Sequence, residues 1–361
     1  MKYKLLALMV SLAAGTALEG APSRYHQHLE EPGYTPCADH GDGVFCSHLP
    51  LVFIETGGQE IPGVPIPDGD GDRQDDRFTT APDGSATILA DMKVVDAEGE
   101  NHHLYDTPSA ETKTSIRVRG NSSRYFDKKS YLIRPLKEDG VSEKDLSLLG
   151  MDAFDEWALY GPYLDKSLIR NYMWYNIAGE IMDYTPNVRF CEVFLNGAYQ
   201  GLYVLTETIS SGENARLKLS QPVDGSARVP YVLRLDRGSD NALKNIDTFT
   251  QYALRNLQDV DIVYPGAKQL TPERIDYIRQ DFSAFEKALY SYDYDTGRYA
   301  WWKQMDMDSM VDYFVLNEFT CNYDAGWLST YIYKDVGLYK LCNHLFHAVS
   351  LPKQKRPGCR A

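Results

Sequence analysis

Apolar and polar positions alternate through the first part of the chain. In SIRVRGNSSRYFDKKSYLIRPL, Ile116 and Val118 share one face against Arg117 and Arg119. Beyond a polar turn, Tyr131 and Ile133 oppose Leu132 and Arg134, so period two predicts a pair of strands. LPLVFIET and ATILADMKVVD read as further strands. CEVFLNGAYQGLYVLTETI reads as a hairpin about Asn196-Gly197, the strongest short-range turn signal in the chain, and positive φ alone explains those two residues. YVLRLD, STYIYKD and GLYKLC add strand patterns near the end.

Helical spacing interrupts this pattern three times. DKSLIRNYMWYNIAGEIM places Leu168, Ile169, Met173, Ile177 and Ile181 on one stripe, capped near Asp165, with Arg170 and Asn171 on an early turn. TPERIDYIRQDFSAFEKALYS is a helix with proline at its start. MDSMVDYFVLNEFTCNYDAG is a third, begun near Asp308 and ended by Asp324-Ala325-Gly326. Val311, Phe314, Val315 and Phe319 form its expected core stripe, and Asn317, Glu318, Asn322 and Asp324 face elsewhere or follow it.

Composition narrows the partners. The 361 residues are 43% hydrophobic, enough for one large core or two modest ones, and carry a net charge of −14. No Lys/Arg-rich stripe is present to neutralise phosphates, which argues against nucleic acid; a basic protein substrate suits the charge better. MKYK, an apolar run and small residues at Gly15-Thr16-Ala17 predict a secretory signal over residues 1–20, with an uncleaved anchor as the alternative. Residues 21–48 form a polar leader.

Within that leader Cys37 and Cys46 are the one disulfide candidate, whereas Cys191 and Cys321 are expected as buried free thiols. Asp68, Asp70, Asp72, Asp75 and Asp76 have the alternating oxygen spacing of a calcium loop. They lack its closing Glu, so a solvated acidic turn is the preferred reading.

Gly120-Asn121-Ser122-Ser123, flanked by Arg119, Arg124, Lys128 and Lys129, concentrates hydrogen-bond donors and cations. It suits either an anion such as phosphate or a solvent-facing hairpin with snorkelling bases. Glu207 closes its strand as a rim charge or a site residue.

In order, RGNSS…KKSY, D-x-S-x-x-RN on a helix, FLNG-x-Y-x-GLY-x-x-x-E on a hairpin and NE-x-x-x-N-x-D resemble the CotH kinase family, whose founding members are spore coat proteins. The resemblance runs from about residue 49 to 342. It implies an α+β, atypical protein-kinase-like fold of two lobes: β-rich and nucleotide-binding over 49–230, helical over 231–342. It further implies ATP and Mg²⁺ as cofactors, a protein Ser/Thr substrate, and secretion or peripheral attachment to a cell surface. Arg119, Asn121, Ser122, Ser123, Lys128, Lys129 and Glu207 then fall to the nucleotide, with Lys129 preferred over Lys128 because it shares parity with Tyr131. Asp324 becomes the catalytic carboxylate, with Asn322 positioning the metal or the loop. Without the other motifs, Asn322 to Gly326 would read as a helix stop.

The end of the chain departs from the family pattern. A W-D-F-type segment with a metal-binding Asp is expected after GLYKLC, but Asn343-His344-Leu345-Phe346 stands there, and no carboxylate follows Asp335. Residues 343–361 hold four Lys/Arg and read as an unrelated tail from a frameshift or truncation. The competing reading gives metal binding to His344 and His347, poor ligands for Mg²⁺. Impaired catalysis is therefore expected. The alternatives are a non-catalytic surface or coat binding module, suited by 26 tyrosines, and a calcium-dependent adhesin built on the Asp68 loop.

Overall fold

Seven strands close into a barrel: β1 Leu51–Glu55, β2 Ile88–Val95, β3 Ala110–Arg119, β4 Ser130–Leu136, β5 Trp157–Tyr160, β6 Val188–Leu195 and β7 Ala198–Glu207. Around the barrel the order is β5-β7-β6-β1-β2-β3-β4, and β4 returns to β5. Every pairing is antiparallel except β1 with β6. The alternation in β3 puts Ile116 and Val118 into a core shared with Met92, Ile133, Trp157 and Tyr203, and leaves Arg117 and Arg119 outside. Trp157 is fully buried, and its indole N–H donates to the Phe154 carbonyl at 3.0 Å.

The computed structural model describes residues 37, 44–67, 77–211, 215–236, 246–249, 259–292, 300–326, 328–335 and 340–342. The signal-like run, the Asp68, Asp70 and Asp72 loop with its neighbours Asp75 and Asp76, and the tail from 343 lie outside the described residues. No helix among the described residues is long and apolar enough to cross a membrane.

The second region combines two helices with a four-stranded sheet. β8 Tyr231–Asp236, β9 Asp259–Tyr264, β10 Thr330–Lys334 and β11 Lys340–Cys342 form an antiparallel sheet in the order β9-β8-β10-β11. Packed with this sheet is α2, Pro272–Leu289, whose Ile278, Phe282 and Phe285 meet Tyr231, Leu233 and Ile262. The proline stands at its first position, and the Thr271 hydroxyl accepts from the Arg274 N–H at 3.3 Å. Mixed α+β architecture thus holds in both regions, with strand predominant in the barrel and helix outweighing strand in the second region.

Helix α1, Arg170–Gly179, joins the two regions. Tyr172 stacks on Phe190 of β6 with centroids 4.4 Å apart, and Tyr175 packs with Tyr160, Val188 and Val204. Trp174 and Ala178 meet helix α3, Met307–Thr320. Its buried face runs through Asn171, Tyr175, Ala178 and the following Met182. The expected stripe holds in part: Ile177 and Ile181 pack with the α3 cluster, whereas Ile169 is exposed and aromatic contacts take the barrel-facing side.

The α3 stripe is the larger correction. Val311, Phe314, Val315 and Phe319 are exposed, Phe314 at 63%, while Tyr313, Leu316, Asn317 and Thr320 are buried. Hydrogen bonding selects this face. The Tyr313 hydroxyl meets the Thr330 hydroxyl at 3.1 Å and accepts from the Gly326 N–H at 3.0 Å, and the Asn317 amide donates to the Tyr313 carbonyl at 2.8 Å.

Two cysteine expectations also fail. Cys321 is exposed in a left-handed C-cap, and Cys37 and Cys46 are both free thiols. Cys191 is buried in the barrel core, as its strand pattern implied.

Candidate active site

The donor-rich turn between β3 and β4 folds tightly. Gly120 has φ +111°, and a Cβ there would lie 1.9 Å from the Ser123 hydroxyl oxygen, so only glycine fits. Residues Ser122–Tyr125 make a short 3₁₀ turn, with Asn121 and Ser122 exposed and Ser123 buried. The Arg124 guanidinium donates to the Gly120 carbonyl and lies 4.2 Å from the Phe78 ring centroid. Lys129 Nζ donates to the Arg124 carbonyl at 2.7 Å, tying the turn to the head of β4.

Lys128 reaches across to β7 at the barrel mouth. Its Nζ donates to the Leu202 carbonyl at 2.7 Å and lies 4.7 Å from the Tyr203 ring centroid. Burial is the main cause of its lowered pKa. Both lysines are half-buried: Lys129, preferred by strand parity, supports the turn, while Lys128 reaches the backbone of β7. Each ammonium retains two further donors beyond the bond described.

Charge accumulates on the outer face of β3. Burial, then the neighbouring Arg124 cation, pulls Arg117 down to about 10; Glu156, ion-paired with Arg134, acts in the other direction. Arg119 is half-buried on the same strand.

Gly161, ahead of α1, runs close against the two lysines. A Cβ at Gly161 would lie 2.6 Å from the Lys129 carbonyl oxygen, so the backbones approach as only glycine allows. Phe126 stacks on Tyr163 at 5.0 Å. Asp165 is buried and organises the start of α1: it accepts from the Ser167 N–H at 3.0 Å, the Ser167 hydroxyl at 2.6 Å and the Arg170 N–H at 2.9 Å. Burial opposes its ionisation, but these donors win and hold the carboxyl below its ordinary range.

Glu207 is neither a rim charge nor part of this cluster. It is buried and held by Arg216, whose Nε donates to both carboxylate oxygens at 2.8 and 2.9 Å and whose Nη2 donates to one of them; the Asn187 N–H adds a third donor at 3.2 Å. Desolvation pushes the Glu207 carboxyl up, and the Arg216 and Asn187 donors act against that rise. Nothing in the spacing of the sequence identified Arg216 as its partner.

Asn322 and Asp324 follow α3 in a hydrogen-bonded loop. The Asn322 amide donates to the Asn317 side chain at 2.7 Å, its Oδ1 accepts from the Asp324 N–H at 3.3 Å, and the Asp324 carbonyl accepts from the Leu328 N–H at 2.8 Å. The loop ends on Ser329, whose hydroxyl donates to Asp236 at 3.2 Å, so Asp236 at the end of β8 borders the segment that carries Asp324. Asp236 was a strand end in the sequence and acquires this place only through the β8–β10 pairing. Arg234 bonds Asp261 at 2.7 Å; burial opposes its charge, but Tyr331 and the two aspartates outweigh it and raise its pKa.

Two clusters result, one cationic at the barrel mouth and one carboxylate-bearing after α3, with α1 packed against both regions. An apolar cavity of about 670 Å³ between α2, α3 and the sheet borders the second cluster, with Leu235, Gly326 and Thr330 in its lining, although none of the predicted site residues lines it.

The family described as CotH kinase protein matches residues 116–345, from Ile116 in β3 to beyond β11. β1 and β2 precede that span, although the barrel cannot close without them. No curated protein matches the chain.

Proposed function

The chain belongs to the CotH kinase protein family, and from that premise we propose a secreted or surface-associated protein kinase of two lobes that transfers the γ-phosphoryl group of ATP to Ser or Thr of a protein. The observation that supports this reading is the close approach of Lys128 and Lys129 to Gly161 in the segment leading to α1, a helix that packs on α3, which in turn leads into Asn322 and Asp324.

The residues present fit the two groups such a reaction requires. Arg119, Lys128, Lys129 and the Asn121, Ser122 and Ser123 donors suit a polyphosphate, and the carboxylate of Asp236 suits a hard cation. ATP bound with Mg²⁺ supplies the phosphoryl group and offsets its charge. The cationic turn holds the phosphates, Asp324 orients the acceptor hydroxyl and takes its proton, and Asn322 fixes the loop that carries Asp324. Asp236 offers the metal carboxylate. Glu207 acts indirectly, by holding the end of β7 through Arg216. Turnover is expected to be slow, since no second metal carboxylate is assigned and electrostatic stabilisation of the transition state weakens accordingly.

Calorimetric titration with ATP and Mg²⁺, paired with γ-labelled phosphate transfer to a Ser/Thr-rich protein, tests this. Lys128→Ala should lower ATP affinity at least tenfold, whereas Asp324→Asn should abolish transfer with ATP binding retained. Wild-type protein that binds no ATP would put a non-catalytic binding module first. The exposed aromatic face of α3 favours that second reading.

A further inference from the structure

The expected disulfide is replaced by an arrangement of different chemistry. A two-residue strand, Cys46–Ser47, pairs antiparallel with His102–His103, and the register sets Cys46 directly opposite His103. Cys37 approaches from the leader, with its Sγ 3.3 Å from His103 Nε2. The thiols of Cys37 and Cys46 and a ring nitrogen of His103 all lie within 4.8 Å of one another. No other group of three or more His, Cys, Asp or Glu side chains comes together in this way among the described residues.

Asp106 orients the imidazole. Its Oδ2 accepts the His103 backbone N–H at 2.7 Å and lies 3.3 Å from His103 Nδ1. A proton held at Nδ1 leaves the Nε2 lone pair facing the sulfurs. Metal-bound histidines recurrently show this carboxylate–histidine arrangement, which fixes both tautomer and ring direction. Tyr105 stacks on the ring at 5.4 Å, and His103 is 9% exposed.

We propose that Cys37, Cys46 and His103 bind a thiophilic divalent cation, Zn²⁺, with Asp106 as the supporting carboxylate. Two thiolates and an imidazole select Zn²⁺ over Mg²⁺ or Ca²⁺. With Zn–S of about 2.3 Å and Zn–N of about 2.0–2.1 Å, a tetrahedral ion needs ligand atoms separated by about 3.5–3.8 Å. The observed spacing meets this with small rotations of the cysteine side chains. Binding releases the two thiol protons, and water completes the fourth position. The ion would fasten the leader to the connection between β2 and β3, independently of any phosphoryl transfer.

Full-length protein purified with reductant and without chelator should bind one equivalent of Zn²⁺ in equilibrium dialysis. Co²⁺ in its place should give the thiolate charge-transfer and intense visible bands of a tetrahedral S-ligated ion, and Zn²⁺ should protect Cys37 and Cys46 from alkylation. Cys46→Ser and His103→Ala should each abolish the Co²⁺ spectrum, and Asp106→Asn should weaken Zn²⁺ affinity 10- to 100-fold with the fold preserved by circular dichroism. Absence of the spectrum in reduced wild-type protein overturns the proposal, as does Zn²⁺ binding unchanged by Cys46→Ser. A mapped Cys37–Cys46 disulfide in protein purified without reductant also overturns it.

Discussion

In the barrel every strand has two hydrogen-bonded neighbours, whereas in the C-terminal sheet β9 and β11 each have one among the described residues. The barrel core is filled by residues such as Ile116, Ile133 and Trp157, all fully buried. Next to the open sheet, α3 buries a face rich in hydrogen bonds and turns Val311, Phe314, Val315 and Phe319 outward. A closed sheet leaves burial to side-chain alternation alone. An open one lets polar anchors such as Tyr313 and Asn317 decide which face goes inward.

The contrast is sharpest where a buried charge stands at the barrel's end. Arg216→Met strands the Glu207 carboxylate and should destabilise the protein by about 3–5 kcal/mol in urea unfolding, and the double variant Glu207→Leu, Arg216→Met should recover most of the loss. Trp157→Ala should cost a similar amount, about 3–5 kcal/mol, because the closed barrel relaxes little around the cavity. If Trp157→Ala proved mild, the barrel would not be the rigid half.

Smaller effects follow at the junction. Asp165→Ala removes the acceptor of the Ser167 and Arg170 donors and should cost about 1 kcal/mol. Its folded-state pKa lies below the unfolded value. The stabilisation is therefore complete above about pH 4 and lost as pH falls through the lowered value, which a denaturation series from pH 5 to 2 reads directly. At the other extreme, Phe314→Ser should change stability by no more than about 0.5 kcal/mol. The same substitution should reduce self-association in sedimentation, since it dilutes an exposed apolar face; a core-sized loss of stability would instead place that face inside.

Legibility in the sequence tracks the same divide. Strands β3 and β4, the Asn196-Gly197 turn with φ of 48° and 73°, and the Pro272 start of α2 were readable because local rules dictate them. The barrel-facing side of α1 and the buried face of α3 were not, because aromatic stacking and the bonds of Tyr313 and Asn317 depend on elements distant in sequence. Of the candidate site, the composition of the turn at Gly120–Lys129 was visible, while the pairing of Glu207 with Arg216 and the nearness of Asp236 to the Asp324 loop arise only from tertiary packing. The close spacing of Cys37 and Cys46 suggested a bond between them, and the third member, His103, lies 57 positions beyond Cys46.

The parallel pairing of β1 with β6 has a kinetic side. Residues 51–54 meet residues 192–195, and β7 must then slot between β5 and β6 before the barrel is sealed. Such contacts require closure of a loop well over a hundred residues long, the kind of contact that slows folding most. The barrel cannot seal until the chain through residue 207 is available, and the NG hairpin, whose own contacts are local, is the piece that completes it.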